Sequence, residues 1–400
     1  MKALVISVGT GTRAAKSTIE GLAGALAFSI NHHNPDLTVF IVTQESEKST
    51  LPLILKKIGL KPHETILIEN PDNIQAIYEK LRPKISQLRE KYETLVVDYT
   101  SGTKAMTAAL AVLAALYEAD ELSYITGERK NGIVQPGTEQ LQPIRPYFIS
   151  AEQKLKTAIR FFNHAQYSAA ATILKEILKI KDPKITERAA PILNLAEAYA
   201  FWDKFQHEKA FQKLRKIKMA ELNNNKRFLG ELVRKSKNNE QPEPYFIADL
   251  INNSERRARE EGKYDDAVAR LYRTIELIAQ YRLKTKYGID PSKCPREKIP
   301  QELIENWNIP PEKETVPIAL QKDYELLKAN GDELGEKYLQ DKSLRDLLSK
   351  RNTSILAHGL TPITRETWQK LYRKTLEFAE IAVKNINTLI TIAKHIKLKE

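Results

Sequence analysis

The sequence predicts an α/β domain followed by an all-helical remainder, and three observations carry that expectation. Short continuous apolar runs alternate with helical periodicity through the first third, as in a parallel sheet buried on both faces. Beyond Pro146 the strand signals stop and a helical period takes over. A polar, proline-bearing stretch at residues 236–244 (SKNNEQPEP) then separates two helical portions. A chain of 400 residues is long for a single core. The expected domains are residues 1–147, 148–243 and 244–400.

Residues 3–8 (ALVISV) read as a buried strand, followed by the loop Gly9-Thr10-Gly11-Thr12 and a helix over 14–31. Residues 39–42, 65–68 and 95–98 read as further strands, each leading into a helix, at 51–58, 73–92 and 105–117. Residues 121–125 and 132–134 are expected to close the sheet. Strands alternating with helices imply a doubly wound, Rossmann-like parallel sheet, with ligands bound at the carboxyl ends of its strands.

Two loops lie at such ends. Gly9-x-Gly11-x-x-Ala14 fits a relaxed dinucleotide fingerprint, but the second strand lacks the acidic residue that would hold a ribose. A dinucleotide-dependent oxidoreductase therefore rests on this one loop alone. The other loop, Tyr99-Thr100-Ser101-Gly102-Thr103-Lys104, opens a helix with free N–H groups, which favours an anion, and Lys104 adds a cation. It is not a P-loop, because Val97 and Thr103 stand where glycine and lysine would be required. Two small-residue loops on neighbouring strands can hold a phosphate-rich ligand without hydrolysing a triphosphate.

In the middle of the chain two segments align at an offset of forty: Ala158, Phe161, Phe162, Gln166, Ala170, Leu174 and Ile177 with Ala198, Phe201, Trp202, Gln206, Ala210, Leu214 and Ile217. The pattern is similar to tetratricopeptide-like helical hairpins, and its aromatic positions read as core. From Tyr245 onward the helical reading continues, interrupted by a proline-rich loop between 290 and 317. A helix over 264–283 places Val268, Leu271, Ile275 and Ile278 on one apolar stripe. Asp266, Arg270, Arg273 and Glu276 lie mostly off it, as an exposed pair or facing the next feature.

That feature is Arg351-Asn352-Thr353-Ser354-Ile355-Leu356-Ala357-His358-Gly359. In one continuous helix Arg351 and His358 would share a face, roughly 10 Å apart along the axis. If Asn352, Thr353 or Ser354 instead caps a new helix, the spacing shortens. Either arrangement sets a permanent cation beside a group that titrates near neutrality, which suits phosphodiester chemistry.

Composition bounds the partners. The net charge of +12 and pI near 9.3 favour an anion such as RNA, DNA or a nucleotide. The lone Cys294 excludes an intramolecular disulfide and a cysteine-rich zinc site, and the seven histidines show no metal-ligand spacing. No apolar run approaches the length of a membrane span, so a cytoplasmic protein without a membrane or metal is expected.

The segment Asp98-Tyr99-Thr100-Ser101-Gly102-Thr103-Lys104-Ala105-Met106 resembles the ligand loop of CARF domains, the Rossmann-like sensors of CRISPR-associated proteins. Arg351, six intervening residues and His358 resemble the Arg-(four to six residues)-His motif of HEPN ribonucleases. Together they are similar to the CARF–HEPN ribonucleases of type III CRISPR systems. The resemblance implies a metal-independent endoribonuclease for single-stranded RNA, a homodimer activated by cyclic tetra- or hexa-adenylate. It further implies ligand contacts from Thr10, Gly11, Thr12, Ser101, Gly102, Thr103 and Lys104. His358 would move protons, Arg351 would stabilise phosphate charge, and Asn352 would orient the phosphate or the histidine. The rival reading is a CARF ligand-sensing regulator without nuclease activity, which would leave Arg351 and His358 without a task.

Overall fold

The computed structural model describes residues 1–11, 16–130, 133–180 and 182–399, with backbone alone at 16, 130 and 133. Thr12 lies outside the described residues. The chain divides into two compact units, Met1–Lys154 and Leu155–Glu400.

The first unit is built on β1 (Lys2–Val8), α1 (Lys16–His33), β2 (Leu37–Val42), α2 (Gln44–Ser49), α3 (Leu51–Ile58), β3 (His63–Leu67), α4 (Ile74–Lys91), β4 (Thr94–Asp98), α5 (Lys104–Leu116) and β5 (Glu121–Thr126). Its six-stranded sheet runs β3-β2-β1-β4-β5 and ends on a strand described below. β1 pairs in parallel with β2 on one side, Val5 opposite Val39, and with β4 on the other, Val5 opposite Val97. Successive β1 residues face opposite ways, as the pleat requires. Ala3 and Val5 pack with Ile77 and Leu81 of α4 and Leu110 of α5. Leu4 and Ile6 pack with Leu26 of α1 and Ile54 of α3. Helices thus cover both faces, which is why the strands read as unbroken apolar runs.

The sheet closes differently from the sequence expectation. Ile133–Val134 (β7) does not join it but forms a small hairpin with Arg129–Lys130 (β6), and the expected start at Gly132 lies outside the described residues. The sixth strand is β8 (Gln140–Ile144), antiparallel to β5 with Leu122 opposite Ile144, so the sheet is mostly rather than wholly parallel. Its sequence QLQPI carries a proline, which lacks the N–H a ladder needs and is tolerated at an edge.

In the second unit α6 (Tyr147–Asn163), within which the division falls, α7 (Tyr167–Leu178), α8 (Pro183–Asp203), α9 (His207–Leu214) and α10 (Asn223–Asn238) follow in order. The repeat at offset forty is borne out down to its turns. Ala165 and Phe205 share a φ of 58°, and Gln166 and Gln206 share a φ of −87°. Gln166 N–H donates to the Phe161 carbonyl as Gln206 N–H does to that of Phe201. Phe162 and Trp202 are core, as expected.

Next come α11 (Glu243–Arg259), α12 (Tyr264–Tyr287), a ribbon of β9 (Cys294–Pro295) with β10 (Thr315–Val316), and α13 (Gln301–Asn306) in the proline-rich loop. α14 (Leu320–Ala329), α15 (Glu333–Gln340), α16 (Lys342–Asn352), α17 (Arg365–Ala382) and α18 (Ile386–Ile392) complete the unit. Val268, Leu271, Ile275 and Ile278 are all fully buried, so the α12 stripe is its core face. A buried charge network ties α8 to α11: Asp203 meets Arg256 and Arg257 and accepts from Asn253. Asp249 accepts from Trp202 and lies 2.7 Å from the His207 ring. No helix among the described residues is long and apolar enough to cross a membrane.

Candidate functional site

The sheet order reverses between β1 and β4, and the loops after these two strands meet there. This is the switch point where open α/β sheets bind ligands. Gly9 N–H donates to Ser101 Oγ at 2.8 Å, and the Ser7 hydroxyl donates to the Ser101 carbonyl. A Cβ on Gly9 would come within 2.9 Å of the Gly102 nitrogen, so only glycine allows the loops this close. Thr50, the residue between α2 and α3, fastens the first loop by donating its Oγ1 hydroxyl to the Gly9 carbonyl at 2.8 Å.

A cavity of about 660 Å³ opens above these loops, lined by Thr10, Gly11, Ser101, Gly102 and Thr103. Lys104, the exposed first residue of α5, is not part of its wall. Two of the hydroxyls expected to hold a ligand already have partners within the loops. Ser101 Oγ accepts from Gly9, while Thr103 Oγ1 donates to the Pro71 carbonyl and caps α5 by accepting from Met106 N–H at 3.2 Å. Asp98 is committed as well, taking Thr100 N–H at 2.8 Å and the Ser29 hydroxyl, and burial holds its carboxyl above the usual range. To an anion the wall offers the run of backbone N–H groups at the α5 N-terminus, with the positive end of the helix dipole behind it, and the hydroxyl protons of Thr10 and Ser101.

Sequence reasoning missed three parts of this wall. Thr43, Gln44 and Glu45 follow β2, and Glu69 follows β3; the rule that ligands sit at strand ends would have found both. Arg129 lines the cavity from the β6–β7 hairpin, donating to Tyr124 Oη at 2.7 Å, and no motif marks it.

The second candidate lies where α16 ends. The segment is neither one continuous helix nor a newly capped one. α16 stops at Asn352 and the chain folds into a compact turn through His358. Ser354, fully buried, bonds the Arg351 carbonyl through its hydroxyl at 2.8 Å and so satisfies a helix-end acceptor. His358 N–H reaches back to the Asn352 carbonyl at 3.1 Å. A Cβ on Gly359 would overlap the Thr353 carbonyl, which explains the glycine that closes the motif. Backbone bonds and the Ser354 hydroxyl thus fold His358 back toward the residue beside Arg351.

Arg351 is half-buried, while Asn352 and His358 are exposed. The Arg351 guanidinium lies over the Tyr272 ring, 4.9 Å from its centroid, with Nη1 3.5 Å from Asn352 Oδ1. Arg270 is bound to Asp266 at 2.9 Å and to Asn253 at 3.1 Å, and Arg273 to Glu276 at 2.8 Å. No hydrogen bond or ion pair among the described residues joins these three α12 side chains to Arg351 or His358. Ile355, Leu356 and Leu360 leave large apolar surface exposed around the turn. Among the described residues no cluster of three or more His, Cys, Asp or Glu is placed to hold a metal ion.

Three domain families match successive parts of the chain: the Card1 CARF domain over residues 23–153, the Csm6 6H domain over 150–241 and the Csm6 HEPN domain over 235–382. The fold is similar to that of Enterococcus italicus Csm6 bound to cyclic hexa-2'-fluoro-hexa-dAMP, with TM-score 0.64 and 14% identity over 99% of this chain and 96% of that one. Can2 from Sulfobacillus thermosulfidooxidans in complex with cyclic tetra-adenylate matches at TM-score 0.25 and 10% identity over 52% of this chain and 68% of its own, too low to speak to the fold. No curated protein matches the sequence. With a cavity at the CARF switch point, an Arg/His turn in the HEPN portion and a 6H segment between them, the chain belongs to the CRISPR-associated CARF–HEPN proteins and has the domain order of Csm6.

Proposed function

We propose that this protein is an endoribonuclease of type III CRISPR antiviral defence, switched on by cyclic oligoadenylate and cutting single-stranded RNA in the cytoplasm. The observation that carries the reading is the pairing, on one chain, of a CARF match around a phosphate-suited cavity with a HEPN match around Arg351 and His358. Residues 1–147 sense the ligand, 148–243 form the helical link and 244–400 hold the nuclease.

In the sensor, the backbone donors around Thr10, Gly11, Ser101, Gly102 and Thr103 receive phosphates of a cyclic tetra- or hexa-adenylate. Lys104, outside the cavity wall, adds positive potential near the helix N-terminus. A ring with an even number of adenylates has two-fold symmetry, which suits a homodimer presenting two copies of this surface.

In the nuclease, the RNA 2′-hydroxyl attacks its own 3′-phosphate. The P–O5′ bond breaks, leaving a 2′,3′-cyclic phosphate and a 5′-hydroxyl. One general base takes the 2′-hydroxyl proton and one general acid protonates the departing 5′-oxygen. A single chain offers one His358, so a second copy completes the pair. The exposed Ile355, Leu356 and Leu360 beside the turn give that copy an apolar surface to cover. Arg351 neutralises charge on the non-bridging oxygens, and Asn352 orients the phosphate. No step requires a resident metal.

The test is cleavage of a labelled single-stranded RNA with cyclic tetra- or hexa-adenylate and EDTA, comparing wild type with Arg351→Ala and His358→Ala. Ligand-dependent cleavage, lost in both variants and leaving 2′,3′-cyclic phosphate ends, supports the reading. Equal cleavage by all three chains would rule out Arg351 and His358 as the nuclease site, and no cleavage by wild type would return the protein to the class of ligand-sensing regulators.

A further inference from the structure

Arg351 stands in the last turn of α16, where the helix gives way to the His358 turn. A long guanidinium side chain there must be fixed before it can meet a phosphate, since a free arginine loses rotamer entropy on being held. A carboxylate partner would fix it but would also neutralise the charge it has to offer. Arg351 takes part in no ion pair among the described residues; Asn352 Oδ1, at 3.5 Å, is a weak anchor. Its Nε is buried without a hydrogen-bond partner, so the inner edge of the guanidinium faces protein rather than water. What lies against it is the face of Tyr272.

An aromatic face attracts a cation through its quadrupole and consumes none of its N–H donors. Apart from the long contact of Nη1 with Asn352 Oδ1, the Nη donors therefore stay available for the two oxygens of a phosphate, the geometry in which arginine is strongest. Tyr272 is itself well held. It projects from α12 beside Leu271, which is fully buried, and one turn before Ile275, also fully buried. Burial, then the Glu276 carboxylate one turn on, hold its phenol above its ordinary pKa, so the ring stays neutral.

We propose that Tyr272 is the positioning residue that aims Arg351 at the scissile phosphate, an inference that rests on the ribonuclease reading above. The ring does the positioning and the hydroxyl is dispensable. Tyr272→Phe should therefore retain most of the activity, and the loss should appear only when the aromatic face is removed.

The experiment is RNA cleavage by the full chain at saturating cyclic oligoadenylate, comparing wild type, Tyr272→Phe, Tyr272→Leu and Tyr272→Met, with Tyr272→Leu also in the Arg351→Ala background. Melting temperatures are recorded for every chain, and Met provides a second ring-free side chain should Leu fail to fold. The expected result is a roughly 10- to 100-fold drop in kcat for Leu and Met with KM nearly constant, as for a misplaced catalytic group. Phe should rescue it, and Leu should add no further loss to Arg351→Ala. Wild-type kcat in Leu and Met, a loss in Phe equal to theirs, or additivity with Arg351→Ala would each overturn the assignment. Wild type that cleaves no RNA would sink the ribonuclease reading and this inference with it, whereas an active wild type indifferent to Leu would sink the inference alone.

Discussion

Replacing Asp323 with Asn should change how the stability of the second unit depends on pH. Asp323 lies on α14, fully buried, and neither carboxyl oxygen has a hydrogen-bond partner. Burial first, and the nearby Glu276 second, push its carboxyl from 3.8 up to about 7, with Arg273 pulling weakly the other way. The folded chain therefore keeps a proton that the unfolded chain releases above about 4. Stability falls as pH rises from about 4 to about 7 and stays low above that. At 1.36 kcal/mol per unit, the full shift corresponds to about 4 kcal/mol, a ceiling of which roughly 3 kcal/mol falls between pH 5 and pH 8.5. Asparagine keeps the shape and never ionises, so Asp323→Asn should gain on wild type by that amount over the same interval. For a unit of this size each kcal/mol moves the melting temperature by about 2–4 °C. Thermal unfolding of both chains at pH 5 and 8.5 should show the gap between them change by roughly 5–10 °C in favour of the variant at the higher pH. An identical gap at the two pH values would refute the buried, protonated carboxyl.

Two further outcomes follow from packing. Gly9→Ala should weaken binding of cyclic oligoadenylate at least 10-fold by calorimetry, because its Cβ would come within 2.9 Å of both the Gly102 nitrogen and Ser101 Oγ and force the two loops apart. Asp203→Ala should destabilise the second unit by about 3 kcal/mol in chemical denaturation, since buried Arg256 keeps only Asp249, at 3.9 Å, while Arg257 retains Glu261 and Asp266.

Much of the architecture was legible because its signals are periodic. The buried strands β1, β2 and β4 read as unbroken apolar runs, and the second hairpin of the helical middle repeats the first even in the φ of its turn residues. β8 escaped because an edge strand needs only one good face, and QLQPI combines polar residues with a proline. The sensor loops were visible as small residues after strands, but the engagement of the Ser101 and Thr103 hydroxyls within the loops was not. Those bonds join residues far apart in sequence, such as Thr103 with Pro71. Arg351 and His358 are legible as a pair, whereas the sequence leaves two helical alternatives for their geometry. The turn that replaces both depends on Ser354 being buried and on a close backbone approach at Gly359. Tyr272 carried no signal, because nothing in a helical period says which ring will meet a side chain nearly eighty positions away.

The central claim is that a ligand in the CARF cavity controls RNA cleavage at Arg351 and His358. The most direct test is the initial rate of RNA cleavage by the full chain with and without saturating cyclic tetra- or hexa-adenylate, run beside Arg351→Ala and His358→Ala. The account predicts that at least one ring raises the wild-type rate by tenfold or more and that neither variant responds. A wild-type rate unmoved by either ring, or variants as active as wild type, would contradict it.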